Sequence, residues 1–347
     1  MDWVDYAKGI GISLVVYGHV LRGIYHAALG LSEAFFFYSD SIVYSFHMPL
    51  FFFLSGLFVR NSLSTRGGLA FLTEKLRLIV YPYFIWSLLQ GGVEVVFSDY
   101  TNGNATVAEL WRVLYQPRAQ FWFLYSLLWM YGLYLTAATL RSPSYVLLLV
   151  SMVLLYYPVE SPLLGLSGLF KNLIYFVLGT LLLSSSLTER ADQLRSSVIA
   201  VAVMLFAVLE GVTFYEAWQP GATVCFSLAI IGIASAVLVS MQLAKSGRLV
   251  WICTVGRYSM PIYLAHILTG NGLRIGLQKL LGLQDPGVHL LAGVVVGLAM
   301  PIVVYRLSRT VGFPYLFELR QPRPAESLYH SGTGCPMPPR RADEPVG

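Results

Sequence analysis

Lys8 and His19 are the residues whose types and spacing point most directly to chemistry. They lie 11 residues apart in an apolar run, residues 4–25, that is long enough to cross a lipid bilayer. At about 100° and 1.5 Å per residue, both side chains project from one helix face, roughly 16 Å apart along the axis. A histidine can take a proton from a hydroxyl, and a lysine can hold an anion or stabilise negative charge on an oxygen.

The same helix face carries two further ionisable groups, Asp5 near its start and Arg22 near its end. Ionisable residues in membrane helices normally face the interior of a bundle or a watery cavity. Asp5 precedes Lys8 by three residues, a spacing at which a carboxylate can fix the position of an ammonium group. The alternative is that Asp5, Lys8 and Arg22 lie in the lipid headgroup zones and only His19 is inside.

His47 and Glu210 are the expected catalytic partners of His19. Both lie in other apolar runs, and counting residues places them at about the depth of His19. Either side chain could orient His19, and His47 could itself act as a base. The alternative for His47 is a hydrogen bond that merely ties two helices together.

Three further residues are expected to bind substrate: Glu94, Trp122 and His266. Glu94 falls in the outer part of its apolar run, and His266 is nearer the middle of the membrane. Trp122 opens an aromatic segment that could stack on sugar rings. The alternatives are an interfacial carboxylate for Glu94, an aromatic belt for Trp122 and a buried, backbone-bonded histidine for His266.

A basic cluster before residue 81 could bind an anionic cofactor. Lys75 and Arg77 lie there, and Arg60 and Arg66 are near in sequence. Together with Lys8, we expect Lys75 and Arg77 to contact the phosphates of a coenzyme A. The alternative is simple enrichment of positive charge in cytoplasmic loops.

The composition indicates an integral membrane protein. Of 347 residues, 56% are hydrophobic and only 12% are charged, against about 25% in a soluble domain. The mean hydropathy is +0.65. The net charge of +5 forms no dense patch, so we expect no nucleic-acid partner. We expect no bound metal, because the three cysteines lack C-x-x-C spacing.

Hydropathy predicts an all-α bundle of about ten transmembrane helices. The predicted spans are 4–25, 42–59, 77–97, 121–140, 144–158, 169–186, 197–217, 222–243, 251–272 and 288–307. Lysine and arginine favour alternate loops, which places both termini in the cytoplasm of a multi-pass protein in the inner or plasma membrane. Residues 1–317 are predicted to form one membrane domain, and the Pro- and Arg-rich tail, 318–347, is predicted to be disordered.

The segment DYAKGIGISLVVYGH, residues 5–19, resembles the opening of the membrane-bound acyltransferase 3 family, which has a basic residue, ten spacers and a histidine on its first helix. Further similar segments are FHMPLFFFLSG at 46–56, WFLYSLL at 122–128 and IYLAH at 262–266. Lysine in place of the usual arginine is similar to the branch that O-acetylates fucose, exopolysaccharide or O-antigen. The basic cluster departs from the family, since Glu74, Lys75 and Arg77 stand where two arginines three apart are common.

That resemblance implies transfer of an acetyl group from acetyl-CoA to a hydroxyl of a surface carbohydrate, with functional roles for Lys8 and His19. The predicted acceptor is an exopolysaccharide, an O-antigen or a fucosylated lipo-oligosaccharide. Direct transfer is expected, because the chemistry demands no nucleophilic serine or cysteine.

Two other function classes stay open. A transporter or flippase of a lipid-linked sugar would also suit a polar interior, although no internal repeat is visible. A non-catalytic receptor or scaffold would have no need of Lys8 and His19 on one helix face.

Overall fold

The protein is helical throughout the residues that its computed structural model describes, which are 2–96, 111–157, 159–161, 163–182, 196–215 and 221–319. No β-strand occurs in these ranges. Twelve α-helices are found there: α1 (Asp2–His26), α2 (Glu33–Arg66), α3 (Gly68–Lys75), α4 (Tyr81–Val96), α5 (Trp122–Thr139), α6 (Ser144–Tyr156), α7 (Leu166–Leu181), α8 (Ser196–Tyr215), α9 (Ala222–Ser246), α10 (Val250–Arg257), α11 (Ser259–Ile275) and α12 (Pro286–Thr310).

A helix lies at each of the ten predicted spans, but only seven described helical segments are long and apolar enough to cross a membrane. These seven segments are Glu33–Arg66, Gly68–Val96, Trp111–Thr139, Leu163–Leu181, Ser197–Tyr215, Ala222–Ser246 and Pro286–Thr310. The predicted fifth span is a helix of only 13 residues, α6, and the predicted ninth span is divided into α10 and α11.

Helix α1 is not among the seven either, although it has 25 residues, and it carries two aspartates, a lysine and an arginine. The count of ten and the cytoplasmic placement of both termini therefore stay predictions. The predicted disordered tail lies outside the described residues from residue 320 onward.

Helix α1 occupies the centre of the bundle. It contacts α2, α9, α10, α11 and α12, and 12 of its residues are buried. Aromatic and branched side chains fill one part of its surface, and glycines leave room for neighbouring backbones in another. A central position is what the polar residues of α1 require, because lipid offers them no hydrogen-bond partners.

Close packing of α1 against α10 depends on two glycines that face each other. A Cβ atom added to Gly9 would lie 2.0 Å from the carbonyl oxygen of Ile252, and one added to Gly256 would lie 1.7 Å from that of Asp5. Backbones approach this closely in membrane proteins only where the contact residues are small. Because Gly9 and Gly256 have no side chains, α10 can pack directly against the Asp5 end of α1.

The contact between α2 and α7 repeats this arrangement. A Cβ atom added to Gly56 would lie 2.1 Å from the carbonyl oxygen of Phe176, and one added to Gly179 would lie 2.2 Å from that of Phe53. Gly56 belongs to the segment FHMPLFFFLSG, so one partner of this contact lies in a segment that the sequence had already singled out.

We predict that Gly256→Ala lowers the apparent melting temperature of the detergent-solubilised protein. The added methyl group must push a backbone carbonyl aside, and overpacking of this kind costs about 1–3 kcal/mol. Gly132→Ala in α5 is the matched control, since no atom outside its own helix lies within 4 Å of the added Cβ. Equal melting temperatures for the two variants would contradict the packing argument.

Candidate functional site

His19 lines a cavity of about 290 Å³, called here the histidine cavity. Its polar lining comes from α1, α4 and α11 and comprises His19, Arg22, His26, Glu94, His266, Asn271 and Arg274. His19 is partly buried, and its ring centroid lies 5.1 Å from that of His266 at an interplanar angle of 52°. The structure therefore brings together three of the predicted site residues: His19, Glu94 and His266.

Glu94 is held by a chain of polar side chains. The guanidinium of Arg118 is paired with its carboxylate, and the amide of Gln90 donates to its Oε1 at 3.0 Å. Gln120 in turn donates to Gln90 Oε1 at 2.9 Å, and the hydroxyl of Tyr263 donates to the carbonyl oxygen of Gln120. The carboxylate is thus fixed in the cavity wall.

His47 is buried and is separated from His19 by Tyr44. Its Nδ1 lies 2.6 Å from the carbonyl oxygen of Val43 in the preceding turn of α2. The Tyr44 ring is edge-on to His47, with centroids 4.6 Å apart, and 6.5 Å from His19. The two histidines, which were expected to lie at similar depth, therefore both contact the same aromatic ring.

Arg22 and Asp40 hold this ring, and neither is among the predicted site residues. Arg22 donates two hydrogen bonds to Asp40, at 2.6 Å and 2.8 Å, and its guanidinium carbon lies 3.4 Å from the centroid of Tyr44. Arg22 lines the histidine cavity. The pairing spans 18 residues and two helices, and no spacing rule in the sequence reveals it.

A second cavity of about 460 Å³, the lysine cavity, lies beside the other end of α1. Lys8, Ile12 and Val15 line it from α1, and Lys75 lines it from the end of α3. The Lys75 ammonium lies 4.7 Å from the centroid of the Tyr131 ring. Two of the predicted cofactor residues, Lys8 and Lys75, thus share one cavity.

The third predicted cofactor residue, Arg77, is exposed and is not part of this cavity's lining. It lies in a π-helical turn, Leu76–Val80, that joins α3 to α4. Asp5 lies 3.8 Å from the Lys8 ammonium, as its spacing predicts, and 3.5 Å from the guanidinium of Arg257.

A third cavity, the aromatic cavity, has a volume of about 950 Å³ and is the largest of these three. Its wall includes Phe37, Tyr44, Trp122, Tyr175, Phe214 and the exposed Lys171. Lys171 is paired with Glu160 at 2.7 Å. Trp122 thus lies in a different cavity from Glu94 and His266, with which it was grouped as a substrate-binding residue.

Glu210 is buried next to this third cavity, and the partner that its carboxylate has there is a serine. Its Oε2 accepts a hydrogen bond from Ser41 at 3.2 Å, and its Oε1 has no partner among the described residues. Ser41 and Thr213 line the aromatic cavity. The hydroxyl of Ser41 holds the carboxylate on the α2–α8 side, and the expected role of Glu210 in orienting His19 stays a prediction.

The three cavities are neighbours, since α1 and α11 line both the lysine cavity and the histidine cavity, and α2 lines both the lysine cavity and the aromatic cavity. Met48 lines both the lysine cavity and the aromatic cavity. Arg22 lines the histidine cavity and stacks on Tyr44, which lines the aromatic cavity. On α11, Tyr263 lines the lysine cavity and His266, one turn later, lines the histidine cavity. Single layers of side chains therefore lie between the cavities.

Within the described ranges, no group of three or more His, Cys, Asp or Glu side chains is arranged to hold a metal ion. Apart from the carboxylate of Glu94 and the thiol of Cys225, the polar side chains that line the cavities are cations, histidines, hydroxyls and amides. Such groups suit an anionic ligand in the lysine cavity and a hydroxyl-bearing ligand in the other two.

Comparison with known proteins gives one match along most of the chain. Residues 1–306 match a family model described as an acyltransferase domain, that of the acyltransferase 3 family. The chain is also similar to the nodulation protein NolL of Mesorhizobium japonicum, with 33% identity over 87 residues. That similarity covers 24% of this chain and 22% of NolL, so the chain spans less than a quarter of that relative. No solved structure matches.

We predict that Asp40→Asn lowers the melting temperature of the solubilised protein. The change removes the negative charge that pairs with Arg22, and a hydrogen bond to a charged group contributes about 1.5–3 kcal/mol. Glu160→Gln is the control, because its pair with Lys171 is exposed and such pairs contribute little. A melting temperature for Asp40→Asn equal to that of the control would show that Arg22 does not depend on Asp40.

Proposed function

The chain belongs to the acyltransferase 3 family, and from that premise we propose that it is an integral-membrane O-acyltransferase that transfers an acetyl group from acetyl-CoA to a hydroxyl of a cell-surface carbohydrate. The acceptor class is an exopolysaccharide, an O-antigen or a fucosylated lipo-oligosaccharide. The proposed location is the inner or plasma membrane, with both termini in the cytoplasm.

The observation that carries this proposal is the division of α1 between two cavities. Lys8 lines one and His19 lines the other, with Ile12 and Val15 between them. A cation at one end suits an anionic donor, and a histidine at the other suits a hydroxyl. The pantetheine arm of acetyl-CoA is long and thin, so it can carry a thioester from a phosphate site into a bundle.

The proposed reaction is direct. His19 takes the proton of the acceptor hydroxyl while the oxygen attacks the thioester carbonyl carbon. The carbon–sulfur bond then breaks, and the departing thiolate takes the proton from His19. Lys8 and Lys75 hold the anionic part of the donor. The alternative role for Lys8, in a donor pose with the thioester beside it, is to stabilise negative charge on the thioester oxygen.

The aromatic cavity is the proposed binding site for the sugar of the acceptor. Trp122 and Tyr175 offer ring faces for stacking, and Asn172 and Ser41 offer hydrogen-bonding groups. Its volume of about 950 Å³ is at the upper end of the range typical of ligand sites. Its shared wall with the histidine cavity, the Arg22–Tyr44 pair, lies near His19.

The proposed function is tested by the O-acetyl content of surface glycans, measured by NMR in strains with matched membrane levels of the protein. We predict O-acetyl groups in the wild type, and their loss in both the deletion strain and His19→Ala. Ser13→Ala is the control on the same helix, because its hydroxyl donates only to the carbonyl oxygen of Gly9. Unchanged O-acetyl content on deletion would refute the proposed function.

Lys8→Ala is predicted to lower kcat/KM for acetyl-CoA about 10- to 100-fold, the value of one hydrogen bond to a charged group. Lys8→Arg should retain most of the activity, because it restores the charge. The control is Lys279→Ala, an exposed lysine outside the three cavities. If Lys8→Ala and Lys279→Ala behave alike in initial-rate assays on membranes, Lys8 does not hold the donor.

A further inference from the structure

The ring of His266 is fixed through one nitrogen, and its other nitrogen has no hydrogen-bond partner among the described residues. Its Nδ1 lies 3.0 Å from the carbonyl oxygen of Ile262 and 2.8 Å from that of Tyr263. A carbonyl oxygen can only accept, so Nδ1 must carry the hydrogen. In a neutral imidazole, Nε2 then holds a lone pair and is a hydrogen-bond acceptor.

This acceptor is buried, and the described part of the chain supplies no donor to it. His266 is 1% exposed, and its Nε2 is among the buried polar atoms without a hydrogen bond in the described part of the chain. Burial of an acceptor without a hydrogen-bond donor costs free energy of desolvation, so an unpaired buried acceptor in a native structure needs an explanation. The nitrogen is therefore placed to receive a hydrogen that the resting geometry does not yet deliver.

His19 is the donor that the geometry favours. Its ring is 5.1 Å from that of His266 between centroids, a separation at which facing nitrogens are within hydrogen-bond reach. Of the other donors that line the histidine cavity, Arg22 donates to Asp40, and Asn271 lies five residues further along α11, roughly 7.5 Å away along the axis. The Tyr263 hydroxyl donates to Gln120, and Arg274 lies eight residues further along α11, roughly 12 Å away along the axis.

We propose that His266 is a positioning residue for His19: Nε2 of His266 accepts a hydrogen bond from the ring N–H of His19 during the reaction. Acceptance of that hydrogen fixes the tautomer of His19 and leaves its other nitrogen with a lone pair. Catalytic hydrogen bonds are often long in an empty site and shorten when substrate binds. The inference rests on the proposed function, in which His19 is the base.

The reaction balances without a proton reaching His266. The acceptor hydroxyl gives its proton to the free nitrogen of His19, and the carbon–sulfur bond of the thioester breaks as the new ester forms. The departing thiolate then takes that proton from His19. His266 stays neutral and orients the imidazolium through Nε2, a role distinct from contact with the substrate.

Two substitutions separate this role from a structural one. In His266→Asn, the short amide can still donate to the carbonyl oxygens of Ile262 and Tyr263, but nothing replaces Nε2. In His266→Gln, the amide oxygen reaches about as far as Nε2 and can accept from His19. A residue that only ties the helix backbone should tolerate asparagine, whereas a positioning residue should tolerate glutamine.

The experiment is initial-rate kinetics of acetyl transfer to the surface glycan of the deletion strain, with full-length variants in membranes. We expect His266→Asn to lower kcat about 10²- to 10⁴-fold with KM for acetyl-CoA unchanged, since loss of the correct tautomer has effects of this size. His266→Gln should recover kcat to within about tenfold of the wild type. Should His266→Asn fail to accumulate, His266→Met replaces it, because it matches glutamine in length but lacks the amide oxygen.

Wild-type kcat in His266→Asn, or an equal loss in the asparagine and glutamine variants, would overturn the inference. Its failure is distinguishable from failure of the proposed function. If the wild type transfers no acyl group, the proposed function is wrong. If the wild type is active, His19→Ala is inactive and His266→Asn is unaffected, only the positioning role of His266 is wrong.

Discussion

Every polar group that α1 carries into the bundle needs a partner or a water-filled space, because an unsatisfied group in an apolar environment costs several kcal/mol. Lys8 meets this requirement in a cavity next to Asp5, and His19 meets it in a cavity shared with His266. The surrounding helices enclose these cavities. Glycines bring α10 against α1, and α2 and α11 supply the walls that divide the cavities.

The parts of this arrangement that follow from helical periodicity could be predicted from the sequence. The face shared by Lys8 and His19 follows from their spacing, and Ile12 and Val15 line the lysine cavity as that face requires. A local ion pair also follows, since the carboxylate of Asp5 lies 3.8 Å from the ammonium group of Lys8, three residues later. The acyltransferase family was recognised from short motifs in order, and a family match over residues 1–306 confirms it.

The remainder depends on contacts between residues far apart in the chain, for which one sequence carries no signal. The ion pair of Arg22 with Asp40 and the hydrogen bond from Ser41 to Glu210 both depend on how helices pack, so depth counting could not distinguish a histidine from a serine as the partner of Glu210. Trp122 was grouped with His266 for the same reason, because depth along a helix does not show that the two side chains line separate cavities. Depth along a helix is a one-dimensional quantity, and a site also requires the rotation of each helix.

Lys8 and His19 lie toward opposite ends of α1 and line different cavities. The central claim of the proposal is that acetyl-CoA enters from one face of the membrane, the acceptor enters from the other, and the two meet beside α1. The most direct test uses proteoliposomes that contain acetyl-CoA only inside, with the deletion strain's glycan added only outside. The account predicts O-acetyl ester on the external glycan, formed in the presence of the wild-type protein and absent with empty liposomes. Product that forms only when acetyl-CoA and glycan share one compartment would contradict it, because both substrates would then bind from the same side.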